Sequence, residues 1–284
     1  MKALNPILLS GKEVLPLVEG GKGVAVTNGA SSGAWAAAGG VGTFSGVNAD
    51  STDEDGNIIP VVYHGRTRKA RHEELVANGI RGGIEQARAA HEVSNGSGRL
   101  HVNVLWEMGG SERVLEGILE GTKGLVHGVT CGAGMPYRIA EIATRYGVYY
   151  YPIVSSARAF RALWKRAYHK YAEGLGGMVY EDPWLAGGHN GLSNSEDPLK
   201  PQDPYPRVRA LRDTMRDFGL DTTPIFMAGG VWYLRDWEDW IDNPELGPIA
   251  FQYGSRPLLT VESPISEQWK GRLRTLEPGS VTLN

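Results

Sequence analysis

The chain has 284 residues, of which 41% are hydrophobic and 21% charged, and its formal net charge is −3. This size suits one large α/β domain, and the charge balance lacks the basic excess of a protein that binds nucleic acid. The apolar runs are shorter than the roughly 18 residues that cross a membrane, so neither nucleic acid nor a membrane is an expected partner.

Cysteine and glycine are the two informative residue counts. Cys131 is the single cysteine, so no internal disulfide can form. Because Met1–Gly11 also lacks a signal-peptide pattern, we expect a cytoplasmic protein in which Cys131 is a buried structural thiol. The chain has 39 glycines, roughly double the usual 7%. They cluster directly after short apolar runs, where the backbone of a barrel can approach a ligand closely.

The first half of the chain alternates strand-like and helix-like segments. Strands are predicted within Val14–Val26 and over Val41–Ser45 and Leu100–Trp106, and helices over Ser31–Ala38, Arg68–Val93 and Glu112–Glu120. The helix over Arg68–Val93 is expected to be interrupted near Gly79–Gly83, because glycine destabilises a helix interior. The polar segment Asn48–Asn57 is predicted to be a loop.

The second half repeats the pattern. Strands are predicted over Leu125–Thr130, Val148–Val154, Gly177–Glu181, Pro224–Ala228 and Pro248–Tyr253, and helices over Pro136–Tyr146, Ala157–Glu173, Arg207–Phe218, Trp232–Ile241 and Ser266–Leu276. About eight strand–helix units predict a (β/α)8 TIM barrel, a closed parallel sheet within one α/β domain over residues 1–284. An open doubly wound sheet is the alternative fold. The β-prone end, Val281–Asn284, leaves open that the chain continues in a longer protein or orders its tail in a partner subunit.

Four glycine-rich clusters follow one another along the chain. They are Pro16–Val26, Ala186–Gly191, Pro224–Val231 and Phe251–Arg256. In order and spacing they resemble the nitronate monooxygenase family, formerly called 2-nitropropane dioxygenases, which shares its barrel with flavin-dependent enoyl-acyl carrier protein reductases. The run Ala-Gly-Gly-His-x-Gly at Ala186–Gly191 is the most specific element, and the resemblance extends from Pro16 to Ser263.

The resemblance implies a TIM barrel that binds FMN without covalent attachment and oxidises alkyl nitronates or nitroalkanes with O₂. It implies that His189 is the catalytic residue. The implied cofactor-binding residues are Gly21, Lys22, Gly23, Asn103, Gly187, Gly188, Gly229, Gly230, Gly254 and Ser255.

Physical chemistry supports several of these roles. Glycine loops after the last two strands can hold a phosphate through backbone N–H groups, with Ser255 adding a hydroxyl and Arg256 a charge-assisted hydrogen bond. Asn103 lies in a strand that should be buried, so its amide needs a partner, which a flavin ring would provide. A histidine with a pKa near 6.5 suits either proton removal or the orientation of an anion at neutral pH. His101 is expected to point toward the helix layer.

Some candidate residues have two interpretations. Lys22 either stabilises reduced anionic flavin or is a solvated loop lysine. Glu181 and Asp182 either support His189 or bind substrate, or they cap the following turn. No metal site is predicted, because the histidines and carboxylates lack ligand spacing, and no Rossmann fingerprint is present.

The chain also departs from the family pattern. It has Gly-Gly-Lys-Gly at Gly20–Gly23, where the family often has Ala-Pro-Met-Ala, and Ser255 replaces a threonine. The substrate is therefore open, and three alternative functions remain. They are an FMN-dependent quinone or enoyl reductase that uses NAD(P)H, a flavin-binding barrel without turnover, and a phosphosugar or nucleotide barrel without flavin. The sequence also leaves a homo-oligomer open.

Overall fold

The computed structural model describes residues 2–53, 57–187, 191–277 and 280–281. The strands are β1 Ile7–Leu9, β2 Lys12–Val14, β3 Leu17–Glu19, β4 Val41–Ser45, β5 Arg99–Leu105, β6 Gly128–Gly132, β7 Tyr149–Val154, β8 Met178–Glu181, β9 Ile225–Ala228 and β10 Ile249–Tyr253. The α-helices are α1 Gly29–Ala37, α2 Arg68–Ser94, α3 Ser111–Gly121, α4 Ile139–Arg145, α5 Ala157–Arg166, α6 Pro204–Arg216 and α7 Glu267–Arg274. Three 3₁₀ helices cover Tyr168–Gly174, Leu234–Trp240 and Arg256–Leu259.

Strands β3 to β10 form a closed parallel barrel. Each strand pairs with the next in chain order, and β10 pairs with β3 through the register Phe251↔Leu17. The predicted (β/α)8 barrel is therefore confirmed. The doubly wound alternative is wrong, because an open sheet would leave two strand edges unpaired.

Successive side chains along each strand point alternately into the barrel and toward the helices. The barrel therefore has one apolar layer inside the sheet and another between the sheet and the helices. Side chains that point inward include Val18, Tyr151, Val179, Phe226 and Ala250. Side chains that point outward, toward the helices, include Val102, Val104, Cys131, Tyr180 and Met227. Burial raises the pKa of the Cys131 thiol, so Cys131 is the buried, unreactive thiol that the sequence predicted.

A hairpin of β1 and β2 covers the end of the barrel where the strands begin. Its turn residue Ser10 places Oγ 2.9 Å from Nε2 of His101 and 2.7 Å from the hydroxyl of Tyr151. His101 thus lies inside the barrel, and the expectation that it points toward the helix layer is wrong. Burial lowers the pKa of His101 to about 3, so the ring is neutral and is part of the packing.

Helix α2 is continuous over 27 residues, although Gly79–Gly83 predicted an interruption. A Cβ on Gly82 would lie 2.0 Å from the carbonyl oxygen of Ala49, and one on Gly83 would lie 2.3 Å from Cδ1 of Ile118. These glycines let α2 approach the β4–α2 connection and α3 closely. Close packing therefore outweighs the low helix propensity of glycine, which is about 1 kcal/mol per residue.

Two glycines of α2 form a matched pair for a stability test. Gly82→Ala should destabilise the protein by about 1–3 kcal/mol, because the added methyl group overlaps a backbone carbonyl. At Gly79 the nearest side-chain atom, on Val114, would lie 3.8 Å from the new methyl group. Gly79→Ala should therefore stabilise the helix by about 0.5–1 kcal/mol. Urea unfolding of both variants measures the difference, and equal effects would contradict the packing argument.

Two predicted helices differ in the structure. The segment Ala157–Glu173 divides into α5 and the 3₁₀ helix Tyr168–Gly174, and the break places Tyr168 in the core with its hydroxyl donating to Pro136 O at 2.8 Å. The segment predicted as a helix over Trp232–Ile241 is a 3₁₀ helix, in which Trp237 and Trp240 are buried. Their spacing of three residues matches the three residues per turn of a 3₁₀ helix. No helix in the described part of the chain is long and apolar enough to cross a membrane.

Candidate active site

The carboxyl ends of the barrel strands surround two adjoining cavities of about 220 and 470 Å³. This is the face at which barrel enzymes carry their active sites. The residues that line both cavities are Gly21, Lys22, Glu181, Gly187, Gly254 and Ser255. Val47, Leu105, Ile153 and Leu258 add an apolar wall to the larger one.

The structure brings the sequence-predicted site residues together. All the predicted cofactor-binding residues in the described part of the chain line one or both cavities. Gly188 and His189 lie outside the described residues. Their neighbour Gly187 lines both cavities, and Gly191 lines a third cavity beside them.

The cavity glycines fall into two groups. At Gly187 and Gly254 a Cβ would meet no atom of the described residues within 4 Å, so among these residues open space lies beside the backbone. Gly229 and Gly230 have φ of +103° and +70°, and a Cβ on Gly229 would lie 2.9 Å from the amide nitrogen of Ala186. The turn after β9 therefore requires glycine whether or not a ligand binds, whereas Gly187 and Gly254 leave space that a ligand can fill.

Asn103 is a buried amide without a protein partner. It is 5% exposed and lines the larger cavity, and within the described ranges no group hydrogen-bonds to its side chain. A Cβ on Gly21 would lie 2.3 Å from Cβ of Asn103, so the glycine makes room for this side chain. An unpaired buried amide costs about 1–3 kcal/mol, so the site fits a ligand with polar ring edges, as FMN has.

Lys22 places one cation at the cavities. Its Nζ donates to the carbonyl oxygen of Gly20 at 2.6 Å, so it is not the solvated loop lysine of the second interpretation. Burial lowers the pKa of Lys22 to about 8, and the nearby Glu19 opposes that shift. Glu19, which the sequence analysis missed, is 1% exposed, and burial raises the pKa of its carboxyl. Lys22 is therefore largely protonated at neutral pH and can favour an anion in the cavity.

Glu181 and Asp182 differ in role although they are adjacent. Oδ1 of Asp182 accepts from the amides of Trp184 at 2.9 Å and Leu185 at 2.8 Å, so Asp182 caps the turn. Glu181 follows Val179 on the inward face of β8 and lines the cavities. Burial raises the pKa of Glu181 to about 7. The sequence left both roles open for both carboxylates; the structure shows that Asp182 caps the turn and that Glu181 lines the cavities.

Arg207 of α6, which the sequence analysis did not select, holds the loop after β8. Its guanidinium donates to the hydroxyl of Tyr180 at 3.0 Å, to Glu196 at 2.5 Å and to the carbonyl oxygen of Ser155 at 3.0 Å. The hydroxyl of Ser155 also donates to the carbonyl oxygen of Gly191 at 3.0 Å. The loop that carries the predicted catalytic histidine is therefore tied to β7 and α6.

Arg256 does not line the cavities. Its guanidinium donates to the carbonyl oxygen of Trp232 at 2.8 Å and lies 5.5 Å from the ring centre of Tyr233. The expectation that Arg256 adds a charge-assisted bond to a phosphate is therefore not supported. In the described ranges, no group of three or more His, Cys, Asp or Glu residues is arranged to hold a metal ion.

The site and the barrel together define a TIM barrel with a ligand cavity at the carboxyl ends of its strands. No protein-family model and no curated protein matches the chain. Solved structures do match, including a point mutant of FabK from Thermotoga maritima, with a TM-score of 0.62 and 18% identity over 92% of this chain and 68% of that one. At this identity the match establishes the fold.

Two further solved structures share the barrel. Nitroalkane oxidase from Streptomyces ansochromogenes matches with a TM-score of 0.61 and 16% identity, over 91% of this chain and 70% of that one. A mandelate oxidase mutant with a monooxide FMN adduct matches with a TM-score of 0.52 and 12% identity, over 96% of this chain and 76% of that one. The chain spans about two thirds of the length of FabK and of nitroalkane oxidase.

Proposed function

We propose that the protein is an FMN-dependent oxidoreductase of the nitronate monooxygenase kind, which oxidises alkyl nitronates or nitroalkanes with O₂. The observation that carries the proposal is the open space beside Gly187 and Gly254, in a cavity that also contains the unpartnered amide of Asn103. The resemblance of the glycine clusters to that family supports it. So does the shared barrel of nitroalkane oxidase and of a mandelate oxidase that holds an FMN adduct.

The residues present can hold each part of FMN. Backbone N–H groups at Gly229–Gly230 and Gly254–Ser255, with the hydroxyl of Ser255, would bind the phosphate. The amide of Asn103 would pair with the polar edge of the ring, and Lys22 would place a positive charge near it. Bound FMN would supply the redox chemistry, which no protein side chain offers.

The protein would bind, orient and protect the substrate. The apolar wall of the larger cavity would exclude water from the reacting atoms. Lys22 would favour an anionic substrate through its charge. We assign His189, by its resemblance to the family histidine, to the orientation of the nitronate or to proton transfer.

An absorption spectrum of the purified protein is the first test. We expect the bands of oxidised flavin, and denaturation should release FMN, because the cavity offers noncovalent contacts. Addition of NADPH without oxygen should leave the flavin oxidised, whereas an alkyl nitronate should be consumed with uptake of O₂. Mass spectrometry of the released cofactor identifies it.

The other outcomes lead to the rival functions. Rapid bleaching by NADPH or NADH would favour the quinone or enoyl reductase. Bound FMN with no turnover of either kind would indicate a flavin-binding barrel without catalysis. A colourless protein that takes up no added FMN would overturn the proposal and leave a barrel that binds another phosphate compound.

A further inference from the structure

Glu181 lies where three cavities meet. Besides the two cavities of the candidate site, it lines a third of about 240 Å³ beside Ile153, Ser155 and Gly191. Its position at the end of β8 is fixed by the pairing Glu181↔Ala228 with β9. Within the described part of the chain, its carboxyl group has no hydrogen-bond partner. The carboxyl is therefore free to contact a ligand from any of the three cavities.

The polar side chains that adjoin Glu181 in the chain form hydrogen bonds with other groups. Asp182, the residue after β8, accepts two backbone amides of the turn, and the hydroxyl of Tyr180 on β8 accepts a hydrogen bond from Arg207 of α6. Lys22, from the loop after β3, is the other titratable residue among the described residues that line the three cavities.

The pKa of Glu181 follows from this environment. Its raised pKa, about 7, has burial as its one cause, with no contribution from Lys22. A carboxyl with this pKa is present in both protonation states near neutral pH, which is the condition for efficient proton transfer.

We propose that Glu181 is the catalytic residue that removes the proton from the carbon next to the nitro group when the substrate is a neutral nitroalkane. This inference rests on the proposed function. In the step, the substrate C–H bond breaks and an O–H bond forms on the Glu181 carboxylate. The electron pair stays on the substrate and spreads onto the nitro oxygens, which gives the nitronate. No atom is oxidised or reduced in this step.

The same cavities contain a cation that can stabilise the negative charge of the nitronate formed in this step. Lys22 lines the two main cavities with Glu181, so its positive charge favours an anion within them. His189 then keeps the role of orienting that anion. Glu181 would therefore remove the proton, and His189 would orient the nitronate that results.

Two substrates distinguish the removal of the proton from the oxidation of the nitronate that follows it. Wild-type protein and Glu181→Gln are assayed with nitroethane and with its preformed nitronate, at equal FMN content. Glu181→Gln should lose at least about 100-fold in turnover of nitroethane, the usual scale for a positioned base, and retain turnover of the nitronate. Glu181→Asp, which keeps a carboxyl group, should recover part of the nitroethane activity. Glu120→Gln on the exposed surface of α3 should behave as wild type.

A stability measurement tests the same carboxyl without turnover. The ordinary pKa of the group is 4.5, and burial raises it to about 7 in the folded protein. Between these values the unfolded chain loses the proton while the folded protein keeps it, so rising pH destabilises the wild type. Glutamine does not titrate, so the Glu181→Gln protein lacks this pH-dependent destabilisation. Its free energy of unfolding relative to wild type should therefore increase from pH 5 to pH 8. Urea unfolding at both pH values measures it.

The other results of these experiments distinguish a failure of the role of Glu181 from a failure of the proposed function. Wild-type protein that oxidises the nitronate but not nitroethane would overturn the role of Glu181 and leave the proposed function intact. Equal loss of both activities in Glu181→Gln would overturn it too, as would a relative stability that does not change with pH. Wild-type protein that oxidises neither compound would instead overturn the proposed function.

Discussion

Gly254→Val should yield a folded protein that no longer retains FMN. A Cβ at this position would meet no atom of the described residues within 4 Å, so the barrel has room for a larger residue there. The branched side chain would instead occupy the space beside the backbone that we assign to the phosphate. Close approach of backbone N–H groups to a phosphate requires the absence of a side chain there. The ratio of flavin to protein absorbance after purification measures the loss.

Gly271→Val is the matched control. Gly271 lies on α7, and a Cβ there also meets no protein atom within 4 Å, but Gly271 does not line the cavities. This variant should keep its FMN and unfold near the temperature of the FMN-bound wild type. Gly254→Val should unfold near the temperature of wild-type protein freed of FMN, because a bound cofactor stabilises the folded state. A Gly254→Val protein with full flavin content would contradict our placement of the phosphate beside the loop after β10.

His189→Ala should lower the turnover of alkyl nitronates by about 100-fold or more while FMN is retained. The reason is the imidazole, which can donate a hydrogen bond to the anionic substrate or transfer a proton near neutral pH. Described residues that follow His189 in the chain are anchored, since Glu196 pairs with Arg207 and Gly191 accepts a hydrogen bond from Ser155. Steady-state rates with O₂, together with the flavin spectrum, test this prediction.

His91→Ala provides the control for loss of a histidine. His91 is exposed in the last turn of α2 and lines neither cavity of the candidate site, so this variant should match the wild type. Wild-type rates in His189→Ala would remove His189 from the mechanism. Loss of FMN from His189→Ala would show a binding role instead, since the catalytic assignment requires the cofactor to remain bound.

The barrel could be predicted from the sequence because its strands and helices alternate in local patterns that repeat about eight times. Those patterns depend on side-chain periodicity, which is a local property. The hairpin of β1 and β2 could not be predicted in this way. Its strands have three residues each, and its turn is held by contacts of Ser10 with His101 and Tyr151, which are distant in the chain.

The candidate site could be located from the sequence, but the roles within it could not all be assigned. The glycine clusters marked the carboxyl ends of the strands, because tight turns and close backbone approaches favour glycine. Gly254 and Gly229 look alike in sequence. Only the structure shows that one faces open space and that the other is required by a positive φ and by packing against Ala186.

The sequence by itself determined the class of fold, the order of the strands and the face of the barrel that carries the candidate site. The tertiary structure alone decided that α2 runs through its glycines, that Asp182 caps a turn, and that Glu181 lines the cavities without a hydrogen-bond partner among the described residues. The physical reason is the range of the interactions. Periodicity and glycine placement act between neighbours in the chain, whereas burial, packing and pKa depend on residues that only the closed barrel brings together.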